Sequence, residues 1–152
     1  MQPSRKASFL VVESPSCVPV KLLSRRVCRA ISGSAPRSFV ALSKNPDGWA
    51  SVGHPEWGPF RLGKTNPNYS TSGLNFTIAQ YYAATGKTSG LTVEDLNRAD
   101  AQQFSRDVES AVVHYGDITM TFLNNWFATD ARGTSLTYTS AVAVEAKSDI
   151  DY

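Results

Sequence analysis

Gly63-Lys64-Thr65-Asn66-Pro67-Asn68-Tyr69-Ser70-Thr71-Ser72-Gly73-Leu74-Asn75 reads as a strand end, a polar loop with a proline, and the capped start of a helix. A join of this kind aims free backbone N–H groups and hydroxyls at one point in space. Ser72 is the expected N-cap, with a helix from Gly73 to about Ala84. Leu74, Ile78 and Tyr81/Tyr82 recur at helical spacing and form its expected apolar face, and Gly86 is the expected stop. The N–H groups of Gly73, Leu74 and Asn75 then lack partners within the helix, and the helix dipole favours an anion beside them. Ser70 and Thr71 add hydroxyls and Gly73 leaves room for close approach. Lys64 and Thr65 stand at the strand end, where Lys64 adds a full positive charge. A plain N-cap in a polar loop is the competing reading, yet three consecutive hydroxyls exceed what a cap requires.

The same stretch completes a second pattern. Gly58-Pro59-Phe60-Arg61-Leu62-Gly63-Lys64-Thr65 fits G-x-x-x-x-G-K-[ST]. A phosphate-binding loop needs a strand before the first glycine and a helix starting at the Lys-Thr pair. Residues 53–58 are Gly-His-Pro-Glu-Trp-Gly, which is loop material, and Pro67 would fall in the first turn of a helix starting at Lys64. Nucleotide binding through Gly58–Thr65 is therefore the alternative function. Its structural signature is a helix that starts at Lys64 instead of Ser72.

Working outward, Phe60-Arg61-Leu62 is a short strand candidate, and Trp49 to Trp57 is an aromatic loop whose tryptophans either roof a small core or stack a ligand. Lys44-Asn45-Pro46-Asp47-Gly48 is a turn, and Phe39 to Leu42 is a short helix end or strand. Downstream, Thr92 opens a short helix with Asp95 in a box-like arrangement. Asp100 opens a longer helix with Phe104, Val108 and Ala111/Val112 on its buried face, and Gly116 ends it. Asp117 then caps a helix with Ile118, Phe122 and Trp126 on one face. Leu136 to Ala146 is rich in strand formers. Strand, helices, strand implies an α/β layer with helices on a small sheet.

The chain has 152 residues, enough for one domain or part of a larger one, and 41% hydrophobic residues, enough for a core. No apolar run reaches transmembrane length. The net charge of +2 hides an asymmetry: residues 1–38 hold seven Lys+Arg and one acid, Glu13, whereas residues 39–152 are net acidic. The first segment also holds both cysteines, Cys17 and Cys28, whose spacing fits no zinc motif. A disordered tail, a basic arm for nucleic acid or an anionic membrane, and non-native coding sequence are its three readings, with the tail favoured. Phe9-Leu10-Val11-Val12 is too short for a signal peptide's apolar region.

Catalytic chemistry is thinly represented. His114, Asp117 and Ser70 or Ser72 can be drawn as a triad, but no nucleophile elbow accompanies them. His54, Glu56, His114 and Asp117 lack a metal-ligand spacing. The expectation is a binding protein, not an enzyme, with no metal and no cofactor.

Several strings carry a resemblance. They are Asp47-Gly48-Trp49, Gly53-His54-Pro55-Glu56-Trp57-Gly58, Leu62 through Leu74, Ala79 through Lys87, Val112-Val113-His114-Tyr115-Gly116-Asp117 and Ser140 through Glu145. Over about residues 39–152 the chain resembles bacterial extracellular solute-binding proteins, of the type 2 periplasmic-binding fold joined to a von Willebrand factor A domain in actinobacteria. The resemblance implies one α/β lobe of a two-lobed fold, incomplete, with the irregular basic segment 1–38 before it. It implies a small polar or anionic solute in a cleft, transport or adhesion components at a membrane as further partners, no nucleic acid, and an extracytoplasmic or membrane-attached location. The Ser70–Gly73 turn would be one helix terminus facing the cleft and Tyr115-Gly116-Asp117 another. Residues 1–38 do not match that family and the A domain is absent, so the expectation is a truncated form.

Overall fold

The computed structural model describes residues 10–11 and 35–144. The chain is α/β, with helices packed around a small parallel sheet. In order the elements are β1 (Leu10–Val11), α1 (Ala35–Lys44), two 3-10 turns (Gly48–Val52 and Pro55–Trp57), β2 (Leu62–Thr65) and α2 (Thr71–Thr85). There follow α3 (Val93–Asn97), α4 (Ala99–Ser110), β3 (Val112–Gly116), α5 (Thr119–Asp130), α6 (Ser135–Tyr138) and β4 (Ala141–Val144). The strand order is β1-β4-β2-β3 and every pairing is parallel. The two-residue β1 pairs Leu10 with Ala143 and Val11 with Val144.

β2 is central, and all four of its residues are buried, as a parallel strand covered on both faces requires. The chain runs from β2 to β3 on one side and returns from β3 past β2 to β4 on the other. Two crossovers of one hand running in opposite directions put their helices on opposite faces. The core divides accordingly. Ala141 and Ala143 join Leu62, Phe76, Val108, Phe39, Trp49 and Phe60 on one face, and Val142 joins Phe122, Leu123 and Trp126 on the other. That is the two-residue alternation of β4 read out as two cores.

Three junctions explain the close packing. A side chain at Gly63 would stand 2.3 Å from Phe122 Cζ, and one at Gly116 would stand 2.6 Å from Phe122 Cβ, so the two glycines admit that ring to the sheet. Trp49, fully buried, donates its indole N–H to Ser140 Oγ at 2.8 Å. Ser140 Oγ also accepts from the Arg61 N–H at 2.8 Å, which ties the approach to β2 to the start of β4.

Several sequence expectations need correction. Of the two readings of Phe39 to Leu42, helix end or strand, the helix holds, within α1. Residues 12–34, including Cys17 and Cys28, lie outside the described residues. The helix expected to run on from Asp100 ends at Ser110, and Val112–Gly116 is a strand. The β-branched pair Val112-Val113 outweighs the continuing helical period once β2 offers an edge. Asp117 is not the cap of α5; Ile118 is, and it is exposed. Leu136 to Ala146 begins with a helical turn, and among the described residues the strand is Ala141–Val144. The helix after the opening loop starts at Thr71 with Ser70 as N-cap, and it buries Gly73, Phe76 and Gln80 while Leu74 and Ile78 are exposed. The Thr92–Asp95 capping box is present in both directions, and Gly86 ends α2.

Candidate functional site

β2 and β3 are neighbours, but the chain leaves their carboxyl ends for opposite faces, from β2 into α2 and from β3 into α5. Loops that diverge in this way leave a crevice at the carboxyl edge of a parallel sheet. The two loops are joined there by the Asn66 N–H donating to the Gly116 carbonyl at 2.7 Å.

Four hydroxyls meet at that edge. Thr65 ends β2, Ser70 and Ser72 open α2, and Thr119 opens α5. Ser72 Oγ lies 2.8 Å from Thr65 Oγ1, 2.9 Å from Ser70 Oγ and 2.8 Å from Thr119 Oγ1. Thr65, Ser72 and Thr119 are buried. A hydroxyl donates once and accepts twice. Ser72 therefore gives one proton and takes two, and one of its three partners keeps its own proton for another acceptor.

The backbone around this hub is rich in donors. Ser70 directs its hydroxyl to Ser72 and caps no backbone N–H. The first N–H of α2 with a helical acceptor is Leu74, to Ser70 O, and that of α5 is Phe122, to Ile118 O. The N–H groups of Thr71, Ser72 and Gly73, and of Thr119, Met120 and Thr121, have no acceptor among the described residues. Two helix dipoles thus present their positive ends at one hydroxyl cluster, an arrangement that attracts an anion or a polar oxygen.

The candidate residues read from sequence divide into two groups. Thr65, Ser70 and Ser72 meet in the hub, with Thr71 exposed in the adjoining first turn. Gly73 is not an opening for a ligand: a Cβ there would stand 2.3 Å from the Thr65 carbonyl oxygen, so its space is already filled by β2. Gly116 likewise meets Phe122, and its carbonyl serves the Asn66 bond.

Lys64 and Tyr115 turn to the other side. Lys64 is 1% exposed, and its ammonium donates to Glu109 Oε1 at 2.7 Å and to Thr77 Oγ1 at 3.3 Å. It sits over the Phe76 and Tyr115 rings at 5.3 and 5.9 Å. A register shift between Leu62 and Gly63 skips Val113 and sets Tyr115 opposite Lys64, where its hydroxyl donates to Glu109 Oε2. Gln80 Nε2 adds a third donor to Glu109, at 2.7 Å. Burial pushes the Glu109 carboxyl up, but the bonds from Gln80, Lys64 and Tyr115 outweigh it and hold the group below the usual glutamate range. The Tyr115 phenol is pushed well above its usual value by burial and by the Glu109 bond and charge. The Lys64 charge is thus neutralised within the fold, and the hub's positive potential comes from the helix ends.

Gly63-Lys64-Thr65 lies within β2, and the next helix begins at Thr71, so the G-x-x-x-x-G-K-[ST] string makes no strand-to-helix phosphate loop. His114 stacks on Tyr138 at 4.0 Å and forms no hydrogen bond with Asp117, Ser70 or Ser72. His54 stacks on Trp57 at 3.8 Å and pairs with Glu56 at 3.0 Å. No group of three metal-ligating side chains occurs among the described residues, and no described helix is long and apolar enough to cross a membrane.

The sequence points to a helix terminus at Tyr115-Gly116-Asp117, but a cap at Asp117 sets the helix start one residue early and leaves Thr119 out of the candidate residues. The signal of the preceding strand was present in Val112-Val113, a β-branched pair six residues before a threonine-led helix. No family model, curated protein or solved structure matches the chain.

Proposed function

We propose that the chain binds a small oxyanion or polar solute at the carboxyl edge of β2 and β3, as one lobe of an extracytoplasmic solute-binding protein whose second lobe forms the opposite wall. The observation that carries this reading is the convergence of two uncapped helix starts on the Ser72 hydroxyl hub, at the point where the sheet's connections diverge. Backbone N–H groups would replace the ligand's hydration, and the hydroxyls, able both to donate and to accept, would set its orientation. Closure of a second lobe would exclude water and strengthen these bonds. The sequence resemblance supports the same assignment.

Titration with inorganic sulfate and phosphate, followed by calorimetry and amide NMR, tests the reading. Chemical-shift changes should centre on Thr71–Gly73 and Thr119–Thr121. Ser72→Ala should weaken binding indirectly, because the Ser72 hydroxyl is committed to Thr65, Ser70 and Thr119 and its loss loosens the two helix starts that would hold the anion. An isolated lobe that shows neither heat nor shifts at these amides with either anion at tens of millimolar would sink the proposal.

A further inference from the structure

The polar node around Glu109 lies apart from the hydroxyl hub and has the construction of a receptor. Three donors from three elements converge on one carboxylate: Lys64 Nζ from β2, Gln80 Nε2 from α2 and Tyr115 OH from β3. Each is held in place by something other than Glu109. Lys64 also donates to Thr77 Oγ1, which in turn donates to the Gly73 carbonyl at 3.0 Å, and its remaining face is covered by the Phe76 and Tyr115 rings. The Gln80 amide is oriented by Ser105 Oγ, which donates to Gln80 Oε1 at 2.7 Å. The Tyr115 backbone is set opposite Lys64 by the β2–β3 register, and its ring lies against the Lys64 ammonium at 5.9 Å.

The carboxylate itself is the less constrained partner. Glu109 is the penultimate residue of α4, where the helix dipole disfavours a negative charge, so the three donors hold it there and the helix does not. Its side chain is 32% exposed against 1% for Lys64, so the node is closed at the cation and open at the anion. Both carboxylate oxygens are engaged, Oε1 by Lys64 and Gln80 and Oε2 by Tyr115. We propose that Lys64, Gln80 and Tyr115 form a binding site for a single carboxylate, that Glu109 fills this site in the resting chain, and that a small monocarboxylate of the formate or acetate class fills it when the Glu109 carboxylate is withdrawn.

The test is thermal unfolding of the full chain carrying Glu109→Ala, in sodium formate against sodium chloride at equal ionic strength. Truncation removes the carboxylate and leaves the three donors facing a space of about its size. Formate at ten times its dissociation constant should raise the ratio of folded to unfolded chain about tenfold. The wild type and the double variant Lys64→Met/Glu109→Ala should show only the smaller gain, common to all the chains, that an anion at the hydroxyl hub would give, so the excess in Glu109→Ala belongs to the Glu109 site. Glu109→Asp, which withdraws the carboxylate by one methylene and keeps its charge, provides the same comparison if the alanine variant does not fold in chloride. A smaller formate-dependent gain is expected for it. An equal formate effect in all variants, or none in either single variant, overturns the proposal.

Discussion

Ser72 Oγ stands 2.8 Å from Thr119 Oγ1 and so ties the first turn of α2 to the first residue of α5 across the carboxyl edge of the sheet. The two helices belong to opposite layers, and this hydroxyl contact joins them where both backbones are uncapped. Ser72→Ala and Thr119→Val should each cost about 1 kcal/mol, because each leaves buried hydroxyls short of a partner. The double variant should cost less than the two together, by roughly 0.5–1 kcal/mol, since the second change removes a group already orphaned by the first. Strict additivity in urea denaturation would show that the two helix starts are not joined in solution.

Gly73→Ala is expected to destabilise the chain although alanine is the better helix former by about 1 kcal/mol. The added Cβ would fall 2.3 Å from the Thr65 carbonyl oxygen and 2.9 Å from Asn66 C and Pro67 N, all backbone atoms at the end of β2. Moving α2 away from β2 should cost about 1–3 kcal/mol net and loosen the hub. Asn75→Ala, at an exposed position of the same helix, should be neutral or slightly stabilising. A melting temperature unchanged by Gly73→Ala would mean that α2 does not pack at this distance.

The α/β class and the polar strand-to-helix join at Thr65–Thr71 were legible in the sequence, because turn chemistry and a run of hydroxyls are local signals. The face of α2 was not. Leu74, Ile78 and Tyr81 have the right period for burial, yet Phe76 and Gln80 are the residues inside. Gln80 is buried because Ser105 and Glu109 satisfy its amide, and no hydrophobicity pattern registers a tertiary partner. Lys64 misled for the same reason. A lysine beside a loop reads as a free charge until the glutamate 45 residues away is placed against it. The strand Val112–Gly116 was hidden because its period continued that of α4, and only pairing to β2 decides the matter.

Trp49→Phe should cost about 1–3 kcal/mol, from lost volume together with a lost hydrogen bond in a buried place. The indole N–H is one of two donors to Ser140 Oγ, the other being the Arg61 N–H. Ser140→Ala should cost a similar amount, and the pair should be strongly non-additive. If Trp49→Phe leaves the denaturation midpoint unchanged while Ser140→Ala lowers it, the indole bond is not contributing.

Stability should form a plateau in pH whose alkaline limb belongs to Tyr115. Glu109 is held below the ordinary value of 4.5, so its contribution is present above that pH and is lost as pH falls through the folded-state value. Asp95, Asp100 and Asp107 are lowered too, by Lys87, Arg98 and Lys44 respectively, so the acid limb is shared among several groups. Tyr115 is raised above the ordinary 10.0, so its contribution is complete below pH 10 and is lost as pH rises through the folded-state value. Burial is the larger cause and the Glu109 bond and charge are the next. Tyr115→Phe should therefore flatten the decline above pH 10 and leave most of the acid limb in place. Glu109→Gln should reduce both limbs, because it removes one titrating group and part of the other's shift. Denaturation midpoints measured from pH 3 to 11 for the three chains decide the matter, and an alkaline limb as steep in Tyr115→Phe as in the wild type would exclude Tyr115 as its origin.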